Sequence, residues 1–143
     1  MWKNYFIIEI FGEPVPTARA RFNGKTAYTP QKTKLAMTRR VILMKNAIGH
    51  QSLSTLNEPI RVELEFHHSR PKRLLAKKYK DSVIPKTTKP DVDNLAKLML
   101  DCATKSKLWS DDNLICELEV KDYYCSRQSN AKSVMIVKTM TTD

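Results

Sequence analysis

The amino-acid sequence predicts one α+β (α/β) domain, residues 1–143, in which helices pack on a mixed β-sheet. Segments that alternate apolar and polar residues are interleaved with segments whose apolar residues recur at helical spacing. A chain of 143 residues can bury one hydrophobic core. No apolar run approaches the roughly 20 residues that a membrane-spanning helix needs, so we expect a cytoplasmic protein with no membrane partner.

Each predicted strand or helix follows from the local pattern of its segment. Alternation predicts strands, and a capping residue or a proline marks the start of two of the helices. Asn23-Gly24 predicts a hairpin turn, and a mobile loop is expected around residues 85–88. The predicted strands are 5–11, 60–66, 114–124 and 133–140, and the predicted helices are 30–48, 72–80 and 93–103.

The first long helix is expected to bury an apolar face and to carry cations on its other faces. Thr29 is expected to cap this helix, and Gly49 is expected to end it. The apolar face is formed by Met37, Val41, Met44 and Ile48. The other faces carry basic residues, namely Lys32, Lys34, Arg39, Arg40 and Lys45.

Positive charge is concentrated in the first two thirds of the chain. Residues 1–90 contain 18 Lys and Arg against 6 Asp and Glu, whereas residues 91–143 contain 7 and 9. The net charges are therefore +12 and −2. Such a basic region indicates a surface that binds the phosphates of nucleic acid. The alternative is a solvated basic face without a partner.

The cysteines and histidines form no recognisable metal or redox motif. Three cysteines, an odd number without CxxC spacing, are typical of reduced structural thiols in a cytosolic protein. His67 and His68 are adjacent at the end of a predicted strand, so their side chains should point to opposite faces. We therefore expect no catalytic role for any histidine.

Four acids are clustered in a chain that is otherwise basic: Asp91, Asp93, Asp111 and Asp112. If the backbone stays extended up to a helix cap at Asp93, the carboxylates of Asp91 and Asp93 can reach one cation. If the helix begins earlier, they lie about 200° apart and cannot. Pro90 and the capping preference of Asp93 favour the extended arrangement.

A polar stripe is predicted along the helix that follows. At about 100° per residue, Asp93, Lys97 and Asp101 share one face. The Lys97 ammonium there can orient a phosphate or offset charge in the transition state. Asp101 is expected to support the site indirectly or to be structural, because it lies roughly 12 Å along the axis from Asp93. Residues 107–109 are expected to form a turn that brings Asp111 and Asp112 back near the start of the helix.

Carboxylate oxygens are the ligands that suit Mg²⁺ or Mn²⁺. Two or three carboxylates, with water and phosphate oxygens, make a hydrolytic centre in which the cation lowers the pKa of a bound water. No serine, cysteine or histidine arrangement offers a competing nucleophile. The alternative for Asp93 and Lys97 is a surface ion pair worth only about 0.3–0.5 kcal/mol.

The segment KPDVDNLAK, residues 89–97, with LWSDD at 108–112, resembles the RusA family of Holliday junction resolvases. The opening GEPVPTARARF, followed by AYTP and a helix, is also similar to bacterial and phage members. The resemblance covers about residues 5–140. It implies a homodimeric endonuclease that binds four-way DNA junctions, nicks two strands symmetrically with Mg²⁺ and leaves 5′-phosphate ends.

The resemblance also implies roles for individual residues by motif position. Asp91 and Asp93 correspond to two metal-binding carboxylates, Lys97 to the catalytic lysine and Asp112 to the third carboxylate, while Asp111 matches its neighbouring acid. DNA contacts do not transfer, because the N-terminal third diverges from the best-known member. Charge and placement alone select the candidates for DNA binding: Arg19, Arg21, Arg70, Lys72, Arg73, Lys77, Lys78 and Lys89.

Two other classes of function are consistent with parts of the sequence. A non-catalytic basic DNA-binding protein would explain the charge without using the acids. An enzyme that handles nucleotide sugars would use the DxD motif, but the small size and the basic charge disfavour it.

Overall fold

A five-stranded mixed sheet and two helices make up the architecture, which confirms the predicted α+β class. The computed structural model describes residues 1–18, 21–76, 79 and 81–140, and for Arg21 the backbone alone. In chain order its strands and helices are β1 (Trp2–Phe11), β2 (Arg21–Phe22), β3 (Ala27–Tyr28), α1 (Gln31–His50), β4 (Ile60–His68), β5 (Ile84–Pro85), α2 (Val92–Lys105), β6 (Ile115–Tyr124) and β7 (Lys132–Met140). Within these ranges, no helix is both long and apolar enough to cross a membrane.

The sheet has the strand order β1-β7-β4-β6-β5. β4 and β6 are parallel, whereas the other neighbouring strands are antiparallel. Two parallel strands need a crossover connection, and α2 supplies it. Because a crossover helix runs back against its strands, the first turn of α2 lies near the end of β6. Accordingly, Asp93 of α2 lines a cavity together with Asp122 of β6.

The hydrophobic core lies between one face of the sheet and the two helices. β4 alternates buried and half-buried residues along its length, as the sequence predicts. Its buried side chains pack into one cluster with those of α2, formed by Ile60, Val62, Leu64, Phe66, Leu95, Leu98, Met99 and Cys102. The opposite face of the sheet carries ion pairs between Arg61 and three glutamates, Glu63, Glu117 and Glu119.

Both predicted ends of α1 are wrong. The helix begins at Gln31 with no side-chain cap, so Thr29 does not cap it. At the other end, Gly49 lies inside the helix, and Ser52 adopts the left-handed conformation with φ 52°. The Leu53 amide donates to the Ile48 carbonyl over 3.1 Å, which is the long hydrogen bond of a Schellman motif. Leu53 and Ile48 also pack against the core, and this apolar contact accompanies the later end.

The faces of α1 are only partly as predicted. Met44 is fully buried and Met37, Val41 and Ile48 pack against the core. Arg40, however, is only 3% exposed and donates to the carbonyls of Ala36 and Glu13. Burial lowers the pKa of its guanidinium, with the Arg39 charge adding to the effect. One cation outside the predicted apolar face is therefore buried, which the spacing of the apolar residues does not indicate.

The predicted hairpin is present, but its turn is displaced by one residue. β2 and β3 are antiparallel and end in the pair Phe22 and Ala27. The Asn23 amide donates to the Thr26 carbonyl over 3.3 Å, which leaves Gly24 and Lys25 at the centre of the turn. Gly24 has φ 92°, a conformation that favours glycine.

The basic segment before α2 differs most from its prediction. In place of a helix over 72–80, the structure has a 3₁₀ turn at Lys72–Leu74. Lys77, Lys78 and Lys80 lie outside the described residues. Nor are residues 85–88 a free loop, because β5 pairs with β6 and the Lys86 side chain is buried.

Trp109 anchors the connection between α2 and β6. Its side chain is fully buried, and Nε1 donates to Thr104 Oγ1 over 2.8 Å. The next amide, that of Ser110, donates to the Leu56 carbonyl over 3.1 Å. The backbone immediately before Asp111 and Asp112 is therefore held in place.

We expect Trp109→Ala to lower the free energy of unfolding by about 3–5 kcal/mol, because it leaves a large cavity and removes the hydrogen bond from Nε1 to the Thr104 hydroxyl. Chemical denaturation followed by circular dichroism measures the loss. Trp2→Ala is the matched control, since Trp2 is only half-buried at the start of β1. Equal losses for the two variants would contradict the anchoring role.

Candidate active site

The start of α2 sets the positions of two candidate carboxylates. The helix begins at Val92, so Asp91 occupies the cap position with extended backbone angles, φ −69° and ψ 145°. Asp93 lies in the first turn, where its Oδ1 accepts from the Asn94 amide over 2.9 Å. The predicted cap at Asp93 is therefore wrong by two residues. The two acids do not share one extended segment, and the first helical turn fixes their relative orientation.

A groove of about 380 Å³ runs beside α2 and confirms the predicted polar stripe. Asp93, Lys97 and Asp101 line it from the helix, and Asp112 lines it from the connection to β6. Apolar side chains make up the rest of the wall: Val92, Ala96, Leu100, Leu118 and Val120. We call this the α2 groove. Polar groups set in an apolar wall are typical of ligand sites.

A second cavity of about 280 Å³ adjoins the first turn of α2. Asp91 and Asp93 line it, together with Lys86 and Asp122. Two threonines and Val92 complete its lining. Asp93 lines both cavities, so it is the carboxylate that links Asp91 on one side to Lys97 and Asp112 on the other.

Asp111 and Asp112 follow α2 in the connection to β6, and Asp112 lines the α2 groove together with Asp101. The Asp111 Oδ1 accepts from the Asn113 amide over 3.0 Å and caps the short 3₁₀ turn Asp112–Leu114. A hydrogen bond with the Asp111 carboxyl raises the pKa of Asp112, and burial and the negative charges of Asp111 and Asp101 raise it further. Asp112 nevertheless lines the α2 groove together with Val92 and Asp93 of the first turn of α2. Asp101 lines the groove as well, on the polar stripe that the sequence predicts.

The acids do not converge on one point in this chain. Over the ranges that the structure describes, no three His, Cys, Asp or Glu residues are grouped closely enough to hold a metal ion. The donor chemistry nevertheless fits Mg²⁺, which is usually held by one or two carboxylates while water and substrate phosphates fill its other positions. Asp91 and Asp93, lining one cavity, meet that requirement.

The structure contains a buried polar network near Asp91 that the sequence analysis did not predict. His68 Nε2 lies 2.7 Å from Asp122 Oδ1, and Lys86 Nζ lies 3.8 Å from Asp122 Oδ2. All three side chains are less than a tenth exposed. The only sequence signal is that Asp122 follows Leu118 and Val120 at a spacing of two, so that all three share one face of β6.

One of the predicted DNA-binding residues is structural. Arg70 is buried, and its guanidinium donates to the carbonyls of Cys125, Leu74 and Ser82. A side chain used in this way cannot reach a phosphate, so this prediction is wrong. By contrast, Lys72, Arg73 and Lys89 are exposed. Arg19, Lys77 and Lys78 lie outside the described residues, as does the side chain of Arg21.

The family model described as "Endodeoxyribonuclease RusA" matches residues 12–136, a range that contains both cavities. The chain belongs to the RusA endodeoxyribonuclease family. It is also similar to the "Uncharacterized protein YqaN" of Bacillus subtilis (strain 168), with 31% identity over 124 residues, which is 80% of this chain and 84% of that protein. Membership of the RusA family implies Holliday junction resolvase nuclease activity, with branched DNA as partner and a divalent metal ion as cofactor.

We expect the stability of this RusA-family protein to fall as the pH drops below 6.5. Desolvation by burial lowers the pKa of both His67 and His68 from 6.5, although nearby carboxylates act in the opposite direction. The unfolded chain therefore binds protons at a higher pH than the folded chain, and acid favours unfolding. Thermal unfolding at about pH 7.5 and about pH 5.5 measures the effect. His67→Gln should make the dependence shallower, and a melting temperature that rises towards acid would contradict the assignment.

Proposed function

We propose that this protein is a Mg²⁺-dependent endonuclease that resolves four-way DNA junctions in recombination and repair. As a cytoplasmic homodimer it makes paired symmetric nicks and leaves 5′-phosphate ends. The observation that carries the proposal is the α2 groove, where Asp93, Lys97 and Asp112 line one space. Family membership supports the nuclease class, and the net charge of +10 supports a nucleic-acid substrate.

Asp91, Asp93 and Asp112 would hold the metal ion, with Asp111 as a further candidate. Mg²⁺, for which Mn²⁺ is expected to substitute, would lower the pKa of a bound water and neutralise charge on the phosphodiester. The raised pKa of Asp112 is consistent with this assignment. Carboxyls crowded by like charge gain from a nearby proton or cation.

Lys97 is assigned to bind a phosphate oxygen and to offset the negative charge that develops there in the transition state. It is one helical turn after Asp93, and its side chain is exposed to the groove. Apolar side chains flank it in the groove, and an ammonium attracts a phosphate more strongly beside apolar groups than in bulk water. Its surroundings are therefore better suited to this role than those of an isolated surface lysine.

Binding to the DNA backbone is assigned to basic residues outside the groove. Lys72, Arg73 and Lys89 are exposed on the segment that leads to the acids. Arg19, Arg21, Lys77 and Lys78 remain candidates by charge. Contacts of this kind make binding steeply dependent on salt but carry little sequence preference.

Asp93→Asn is expected to reduce paired nicking of a synthetic four-way junction by at least about 100-fold while leaving the junction dissociation constant nearly unchanged. The substitution removes a charge shared by both cavities but keeps the shape of the side chain. Product analysis on denaturing gels in Mg²⁺ or Mn²⁺ measures nicking, and gel shift without metal measures binding. Glu58→Gln, which neutralises an exposed acid outside both cavities, is the matched control.

A protein that binds DNA without cutting it would behave differently in the same assay. Its binding would be salt-dependent, and Asp→Asn changes would leave the affinity alone or tighten it by removing repulsion. If the wild-type protein cleaved no branched or duplex DNA in Mg²⁺ or Mn²⁺, that alternative would replace the nuclease.

Lys97→Met is expected to lower the single-turnover cleavage rate by about 100-fold and to change junction affinity only a few-fold. The reason is that a transition-state contact affects the chemical step more than ground-state binding. Lys105→Met is the control, because Lys105 is an exposed lysine at the other end of the same helix. Equal losses of rate and affinity in Lys97→Met would remove the catalytic role.

A further inference from the structure

The buried ammonium of Lys86 is bonded to the backbone that leads into α2. Its Nζ donates to the Thr88 carbonyl over 2.5 Å and to the Pro90 carbonyl over 3.2 Å. The side chain is only 3% exposed. A buried charge is tolerated only when its donors are used. The two carbonyls therefore hold the ammonium in place, and the ammonium holds the residue immediately before Asp91.

Lys86 is itself fixed to the end of β6. Its backbone amide donates to the Asp122 carbonyl over 3.0 Å, and its Nζ lies 3.8 Å from Asp122 Oδ2. The other oxygen of the same carboxyl lies 2.7 Å from His68 Nε2 on β4. Polar contacts therefore connect His68, the last residue of β4, through Asp122 and Lys86 to the segment before Asp91.

A second contact ties the same segment to the same strand. Thr88 Oγ1 and the Tyr124 hydroxyl are 2.7 Å apart, and Tyr124 is a buried residue at the end of β6. Thr87, Thr88 and Lys89 are themselves exposed, so packing of their side chains contributes little to holding the segment. Its position depends instead on polar contacts with β6.

We propose that Lys86 is a positioning residue, which together with the Thr88–Tyr124 hydrogen bond holds Asp91 in register with Asp93 for binding a divalent cation. Lys86, Asp91 and Asp93 line the same cavity. This inference rests on the proposed function, since it assigns the cavity to that cation. Lys86 acts through the Pro90 carbonyl and does not itself bind the metal. Groups that orient metal ligands commonly matter almost as much as the ligands.

The most informative variant is the double substitution Lys86→Met with Asp122→Asn. Lys86→Met alone would leave the Asp122 charge uncompensated beside the cavity, and that charge could attract a cation. The double change removes one positive and one negative charge, so the local net charge is that of the wild type. The amide that replaces the Asp122 carboxylate can still bond to His68. A loss of cation affinity then cannot come from a change in net charge, and Asp122→Asn alone measures the part that comes from removing a carboxylate that lines the cavity.

Isothermal titration of the full-length protein with MgCl₂ is the primary measurement. We expect the double variant to bind Mg²⁺ about 10–100-fold more weakly than the wild type. The Mg²⁺ concentration for half-maximal junction cleavage should rise by a similar factor, and excess Mg²⁺ should restore most of the rate. Junction affinity without metal should be unchanged. Unchanged Mg²⁺ affinity in a folded double variant would overturn the proposal.

Arg40→Met separates positioning from general loss of stability. Arg40 is also a buried cation that donates to two backbone carbonyls, but neither belongs to the segment before Asp91. The Arg40→Met variant should have a lower melting temperature than the wild type but the same Mg²⁺ affinity. A loss of Mg²⁺ affinity in Arg40→Met equal to that of the double variant would overturn the proposal.

Tyr124→Phe is the variant to use if the double variant does not fold. It removes only the Thr88 contact, and an unchanged Mg²⁺ affinity would then count against the anchoring of this segment.

The same measurements separate this inference from the proposed function. If the wild type binds Mg²⁺ and the double variant binds it weakly, but no junction is cut, the nuclease assignment fails and the role of Lys86 stands. If junctions are cut and both proteins bind Mg²⁺ equally, the role of Lys86 fails alone. Absence of Mg²⁺ binding to the wild type would overturn both.

Discussion

The parallel pairing of β4 with β6 is the constraint on which the rest of this structure depends. It requires a crossover, and the crossover helix α2 must lie across the sheet with its first turn near the end of β6. Both candidate cavities arise from this arrangement. One lies along the side of α2, and the other lies between its first turn and the last residues of β6. The candidate acids therefore lie towards the two ends of the crossover helix, which packs against the sheet.

The same arrangement explains why the acids are spread along a groove. α2 has 14 residues, so its two ends are about 20 Å apart. Asp91 and Asp93 stay with the start of the helix, whereas Asp112 comes from the connection after its end and lies with Asp101. Asp93 is common to both cavities, and Lys97 is between the two groups of acids. A phosphodiester backbone, which carries charge at regular intervals, suits an elongated site of this kind.

The local spacing of apolar and polar residues was sufficient to predict the fold class and most of the polar residues that line the α2 groove. The period of α2 identifies its buried side and places Asp93, Lys97 and Asp101 together, whichever residue begins the helix. Its first residue does not follow from the local sequence, because Asp91 and Asp93 are equally good capping residues and the tertiary contacts of the preceding segment decide between them. Buried cations were missed for a related reason. Arg40 and Arg70 satisfy backbone carbonyls that are brought to them from distant parts of the chain, which no local spacing reports.

The Arg61 ion pairs on the open face of the sheet have a consequence for association between molecules. β5 pairs with β6 only at Tyr123 and Tyr124, so within the described residues the outer edge of β6 before that point has no neighbouring strand. Bare edges invite further strands and, with them, aggregation. Arg61 binds Glu117 and Glu119 of this strand, so ordered charge lies beside the bare edge. Individually these surface pairs add little stability, but charge beside a bare edge opposes the pairing of a further strand with it.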